Sequence, residues 1–147
     1  MTDGQTLIVV GAAIIRDGAV LAAQRAEPAS MRGGWEFPGG KVDPGETEEA
    51  AVVRECREEL GVEVRPLARF DREVDFPQRP GAPPAVLRLW TAELLRGEPR
   101  LLEHLALRWL TPATLGEVDW LPTDLPFVED VRGALLPDGV PGQLLEG

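Results

Sequence analysis

The segment from Thr47 to Leu60 reads as a two-sided helix, and a helix of that kind has to lay one side on another layer of structure. At about 100° per residue, Ala50, Val53, Cys56 and Leu60 gather on one side, while Glu55, Glu58 and Glu59 share the opposite side at i, i+3 and i+4. Acidic residues fill the first turn, and Gly61 stops the helix at its C-terminal end.

What surrounds this helix is strand-like. Leu7 to Ile15 and Ala19 to Ala23 are rich in Val, Ile, Leu and Ala and are separated by Arg16-Asp17-Gly18, the signal of an antiparallel hairpin. Glu27 to Gly34 reads as a loop, and Trp35-Glu36-Phe37 as a short strand running into a sharp turn at Pro38-Gly39-Gly40. Val62 to Phe76 and Val86 to Leu95 are two more strands, flanking an exposed loop with Pro77, Pro80, Gly81, Pro83 and Pro84. Gly97-Glu98-Pro99 is a turn and Leu105 to Leu110 a last strand. Thr111-Pro112 reads as the start of a short helix, and a further helix is expected over Thr123 to Leu135. The fold class is α/β: a mixed sheet with one acidic helix in the middle of the chain and another at its end, arranged as a layered sandwich. Residues 1–136 form one domain in this reading, and residues 137–147, with two prolines and three glycines, a disordered tail.

Charge excludes one large class of partners. The net charge is −10, of which residues 46–63 supply −5 through seven Glu against Arg54 and Arg57, and no basic stripe offers itself to a polymeric nucleic acid. No run approaches the eighteen or more apolar residues of a membrane span, and the first residues lack the basic cluster of a signal peptide, so a cytoplasmic protein is expected. The single cysteine, Cys56, has no partner for an internal disulfide and reads as a packed thiol.

A charge run is usually a solvated face. Here Glu55, Glu58 and Glu59 repel one another at helical neighbour spacing by a few tenths of a kcal/mol per pair, roughly, and a bound cation removes that conflict. Carboxylates without neighbouring Cys or His suit a hard ion, Mg2+ or alternatively Mn2+.

Gly40, five residues, Glu46, seven residues, then Arg54-Glu55-Cys56-Arg57-Glu58-Glu59-Leu60-Gly61-Val62 resembles the Nudix box, with Cys56 the one loose fit at an apolar slot. A chance match is on the order of one in ten million. Ala23-Gln24-Arg25, Trp35 to Lys41, Glu103-His104 and Val118 to Asp124 extend the resemblance to the MutT-like branch, that of bacterial CTP and oxidised-dGTP pyrophosphohydrolases. The resemblance implies an α/β/α sandwich with a catalytic loop-helix-loop. It also implies metal coordination by the Gly39 carbonyl, Glu55, Glu58, Glu59 and Glu103, with Arg54 pairing with Glu46 to hold the carboxylates.

Glu55 is then the leading general base and Glu103 its competitor, with Glu58 in the same catalytic set. Arg25 and Lys41 are candidates for phosphate contacts, each with a plain alternative as a surface cation. His104 reads as structural rather than as a base. Of the aromatic residues Trp35, Phe37, Phe76, Trp90, Trp109, Trp120 and Phe127, most belong in a core, and Phe76 is the preferred choice for a pocket wall under a base. Asp124 stands where the oxidised-guanine branch resembles a pattern with asparagine. An ionised aspartate only accepts hydrogen bonds, which suits the amino group of cytosine, whereas the plain reading of Asp124 is a helix cap.

The expected function is Mg2+-dependent hydrolysis of a nucleoside triphosphate to monophosphate and pyrophosphate, on cytidine nucleotides or 8-oxo-dGTP. The expected partner is a small nucleotide, with no membrane or nucleic-acid polymer and with a homodimer left open. Two alternatives stand beside it. An ADP-ribose or nucleotide-sugar pyrophosphatase is suggested by Pro77, fifteen residues after Val62, while the absence of Tyr weakens a dinucleoside-polyphosphate assignment. A non-catalytic nucleotide-binding module explains the intact acidic triad poorly.

Overall fold

The computed structural model describes residues 5–136. Strand β1 (Leu7–Arg16) turns at Asp17 and Gly18, both at positive φ, into β2 (Ala19–Gln24), as the Asp-Gly pair dictates. Beyond the turn the two strands part. Residues 35–41 run between them, β3 (Trp35–Glu36) bonding to β2 and β4 (Gly39–Lys41) to β1. The turn expected at Pro38-Gly39-Gly40 is therefore partly strand: Gly39 lies opposite Gly11, so that two backbones without side chains meet. A Cβ on Gly39 would stand 1.9 Å from the Val10 carbonyl oxygen, which is why this strand begins with glycine.

The other edge of β1 pairs in parallel with β6 (Ala85–Arg96), which pairs antiparallel with β5 (Glu63–Asp75), while β7 (Ala106–Leu110) closes on β2. The loop between β5 and β6 is largely exposed, as its prolines require.

Alternation along β1 builds a core on each face of the sheet. Val10, Ala12 and Ile14 pack with α1 (Glu48–Leu60), and Ala13 packs with Trp35, Phe37, Trp120, Phe127 and the C-terminal α2 (Val128–Leu135). The result is the α/β/α sandwich. Thr47 caps α1 by accepting from the Ala50 N–H at 3.0 Å, and Gly61 ends it in the left-handed conformation at φ 72°.

The helix is rotated from the periodicity reading. Its buried stripe is Ala51, Val52, Cys56 and Leu60, with Ala50 exposed and Val53 half-buried, and this rotation carries Glu59 inward with the core side. Two helical expectations shrink. Thr111-Pro112 opens turns that lead to a 3-10 segment at Leu115–Glu117, and the C-terminal helix begins only at Val128, after a 3-10 turn at Leu125–Phe127 containing Pro126. Trp90 and Trp109 are half-buried, packed against the rim of the core, and Phe76 is half-buried as well. The tail expected at 137–147 lies outside the described residues.

Candidate active site

The segment between β1 and β2 faces α1, and one contact sets the geometry. A Cβ on Gly40 would fall 2.5–2.7 Å from all three carboxylate atoms of Glu55, so the missing side chain is the seat in which that carboxylate rests. Arg54 holds it from the other side. Its Nη1 donates to Glu55 Oε2 at 2.8 Å and to Glu58 Oε1 at 3.3 Å, its Nε and Nη2 to the two oxygens of Glu46 at 2.8 and 3.0 Å, and its Nη2 also to the Lys41 carbonyl at 2.9 Å. This fork binds the loop 41–46 to the helix. Hydrogen bonds from Arg54, and then from the Asp43 N–H, hold the Glu46 carboxyl down at about 2.

Glu59 is the counterpart. Burial, and then the neighbouring carboxylates of Glu55, Glu36 and Glu103, push its pKa up to about 9, and its Oε1 is buried with no hydrogen-bond partner among the described residues. The acids are unequal: Glu58 and Glu103 are exposed, Glu55 is half-buried and Glu59 is buried. As the side chains lie, no three acids among the described residues close around one point. Their chemistry nevertheless fits a hard divalent cation: the donors are all oxygens, Glu59 carries an orphaned one, and a cation there would take the place of its proton. Burial also raises the Cys56 thiol far above its usual range, which leaves it an inert packed group.

A cavity of about 430 Å³ opens beside these acids, lined by Arg25, Glu36, Glu59, Glu103 and His104. Behind it lies an apolar pocket of about 420 Å³ with Phe37, Phe76, Leu87, Leu121 and Asp124 in its walls. Arg25 and Glu36 line both, joined by an ion pair of 3.0 Å. Glu36 was given no role from the sequence, although a charged residue between Trp35 and Phe37 in a buried strand was a signal that something polar had to meet it. Lys41 is exposed at the mouth of an adjoining pocket that it shares with Phe76 and Arg25, on the far side of β4 from Glu55.

Asp124 corrects the capping reading. It sits in helical backbone conformation, makes no cap hydrogen bond, and is buried, its Oδ2 accepting from the Phe37 N–H at 3.1 Å. Burial, and then Glu36 nearby, raise its pKa well above the usual carboxylate range. A raised pKa favours the neutral form, and a neutral carboxyl both donates and accepts where an ionised one only accepts. His104 is structural in the sense expected, with a nearly enclosed ring whose Nε2 lies 3.0 Å from Glu36 Oε2.

Comparison with known proteins agrees with this arrangement. Residues 6–131 match the NUDIX domain. A Mycobacterium tuberculosis protein provisionally named 8-oxo-dGTP diphosphatase 2 is 48% identical over 87% of this chain and 89% of its own length. The Escherichia coli CTP pyrophosphohydrolase is 39% identical over 82% of this chain and 87% of its own. Among solved structures, a MutT NUDIX hydrolase from Burkholderia pseudomallei superposes with a TM-score of 0.74 at 33% identity, covering 86% of this chain and 98% of the other. With the box folded as a loop-helix-loop and relatives of this similarity along nearly the whole domain, the chain belongs to the Nudix family and is a MutT-like phosphoanhydride hydrolase.

Proposed function

We propose that the protein is a Mg2+-dependent pyrophosphohydrolase of nucleoside triphosphates, acting on cytidine nucleotides and 8-oxo-dGTP. The observation that carries this reading is the shared wall of Arg25 and Glu36: an acid-lined cavity on one side, an apolar pocket floored by a buried carboxyl on the other. A triphosphate reaching into the first and a base into the second would span that wall. Glu55, Glu58, Glu59, Glu103 and the Gly39 carbonyl would hold the metal, which when bound supplies charge neutralisation for the triphosphate. Glu55, fixed between Gly40 and Arg54, is the group placed to take a proton from water, with Glu103 on the exposed side as the competing base. Arg25 stands in the wall of the cavity that would take the phosphates, whereas Lys41, at the mouth of the adjoining pocket, is the more distant candidate for a phosphate contact.

A protonated Asp124 supports both bases. Its hydroxyl donates and its carbonyl accepts, matching N3 and the amino group of cytosine as well as O6 and N1–H of oxidised guanine. Phe37 and Phe76 supply apolar contact.

The test is one screen of the purified protein with Mg2+ against CTP, dCTP, 5-methyl-dCTP, 8-oxo-dGTP, ADP-ribose and a dinucleoside polyphosphate, run on the best substrate in 18O-labelled water. Attack on the β-phosphorus places the label in pyrophosphate. Label in the monophosphate, or preference for ADP-ribose, overturns the reading.

A further inference from the structure

We propose that His104 is a positioning residue that holds the Glu36 carboxylate on the substrate wall and so leaves the free oxygen of Glu59 to a cation. The inference rests on the metal-dependent reading above and adds to it a residue which that reading does not use.

Four carboxylates crowd this corner: Glu36, Glu55, Glu59 and Glu103. One imidazole stands among them. His104 lies on the irregular run between β6 and β7, which the Leu105 N–H fastens to the Gln24 carbonyl at 2.9 Å, and its side chain is only 6% exposed. Nε2 is 3.0 Å from Glu36 Oε2 and 3.9 Å from Glu59 Oε1, so the ring is bonded to the first acid and only adjacent to the second.

The hydrogen bond selects the tautomer: Glu36 is an acceptor, and Nε2 therefore carries the proton. Nδ1 is buried without a partner among the described residues, which leaves the ring no solvent-facing lone pair with which to act as a base. The other Glu36 oxygen is taken by Arg25 at 3.0 Å. With both oxygens engaged, Glu36 is kept out of competition for a cation, and the orphaned Glu59 Oε1 remains the buried oxygen available to one. Without the imidazole N–H, Glu36 Oε2 would become a loose carboxylate oxygen facing the same cavity.

His104→Gln and His104→Asn separate this role from packing. A glutamine amide nitrogen falls near the position of Nε2 and can donate to Glu36; an asparagine amide falls near Nδ1 and cannot reach. Mn2+ alone is titrated into the full chain without nucleotide, free Mn2+ being followed by electron paramagnetic resonance, with melting temperature and kcat measured alongside. His104→Gln should bind Mn2+ much as the wild type does, whereas in His104→Asn the freed Glu36 oxygen adds a ligand and should tighten Mn2+ binding by about 10-fold while drawing the cation from Glu59. The two variants should melt alike, and kcat should fall in His104→Asn alone. Equal changes in both variants, no change in either, or a change in the glutamine variant alone overturn the assignment. If the wild type takes up no Mn2+, or if Glu59→Gln binds it undiminished, the metal reading fails, and this inference falls with it for a distinguishable reason.

Discussion

Gly40→Ala tests whether the seat of Glu55 matters for turnover. The new Cβ would stand 2.5 Å from the Glu55 Cδ and Oε2 and 2.7 Å from Oε1, where ordinary contact begins near 3.4 Å, so the carboxylate has to retreat. The retreat is about 1 Å, enough to cost on the order of 10²-fold in rate when the displaced group must address a reacting atom. It cannot be taken freely, because Arg54 Nη1 holds Oε2 at 2.8 Å. The backbone, by contrast, tolerates alanine: Gly40 is not among the glycines with positive φ, and the obstructing atoms belong to the end of a side chain. Stability should therefore fall by no more than the roughly 1–3 kcal/mol of a crowded site. Gly39→Ala is the contrasting variant, since its Cβ would meet the Val10 carbonyl at 1.9 Å and the β1–β4 pairing itself would have to break. Pyrophosphate release with Mg2+ and thermal melts on both proteins read the two effects. A Gly40→Ala enzyme with near wild-type kcat, or one as unstable as Gly39→Ala, would refute the reasoning.

Glu55→Gln keeps shape and removes the base, so kcat should fall by at least about 10²-fold while the melting temperature holds; a near wild-type kcat would transfer the base assignment to Glu103. For Asp124 the folded pKa is raised, so its contribution to stability is full below the unfolded value and is lost as pH rises through the folded one. Wild-type melting temperature should therefore decline across that rise relative to Asp124→Asn, which cannot ionise, and parallel profiles would show that Asp124 is not protonated in the folded chain. Because each base takes one donor and one acceptor from the Asp124 carboxyl, kcat/KM for both CTP and 8-oxo-dGTP should fall in the wild type relative to Asp124→Asn as pH rises and the donor is lost from the pocket floor; identical pH profiles in the two proteins would remove Asp124 from base reading.

The box from Gly40 to Val62 was legible because its demands are local. A helix places Glu55, Glu58 and Glu59 within a turn of one another, Thr47 and Gly61 mark its ends, and Asp17-Gly18 can hardly be anything but a tight turn. Spacing along one chain segment carries that information without reference to the rest of the molecule. Which face of the helix is buried was less legible, because alanines and valines surround the stripe and the sheet beneath decides the rotation, turning Ala51 and Val52 inward and Glu59 with them.

What required the tertiary structure is every property that depends on desolvation or on partners distant in sequence. Asp124 looks like a helix cap or an ionised acceptor until the Phe37 N–H, 87 residues away, and the surrounding walls are in place; burial then raises its pKa and favours the form that can donate as well as accept. Glu36 and His104 are 68 residues apart and meet only because β1 and β2 splay to admit residues 35–41 while β7 closes on β2. Residue types and local spacing follow from the chain, but a group's charge state and its neighbours across the sheet are set by the dielectric and geometry of the assembled fold.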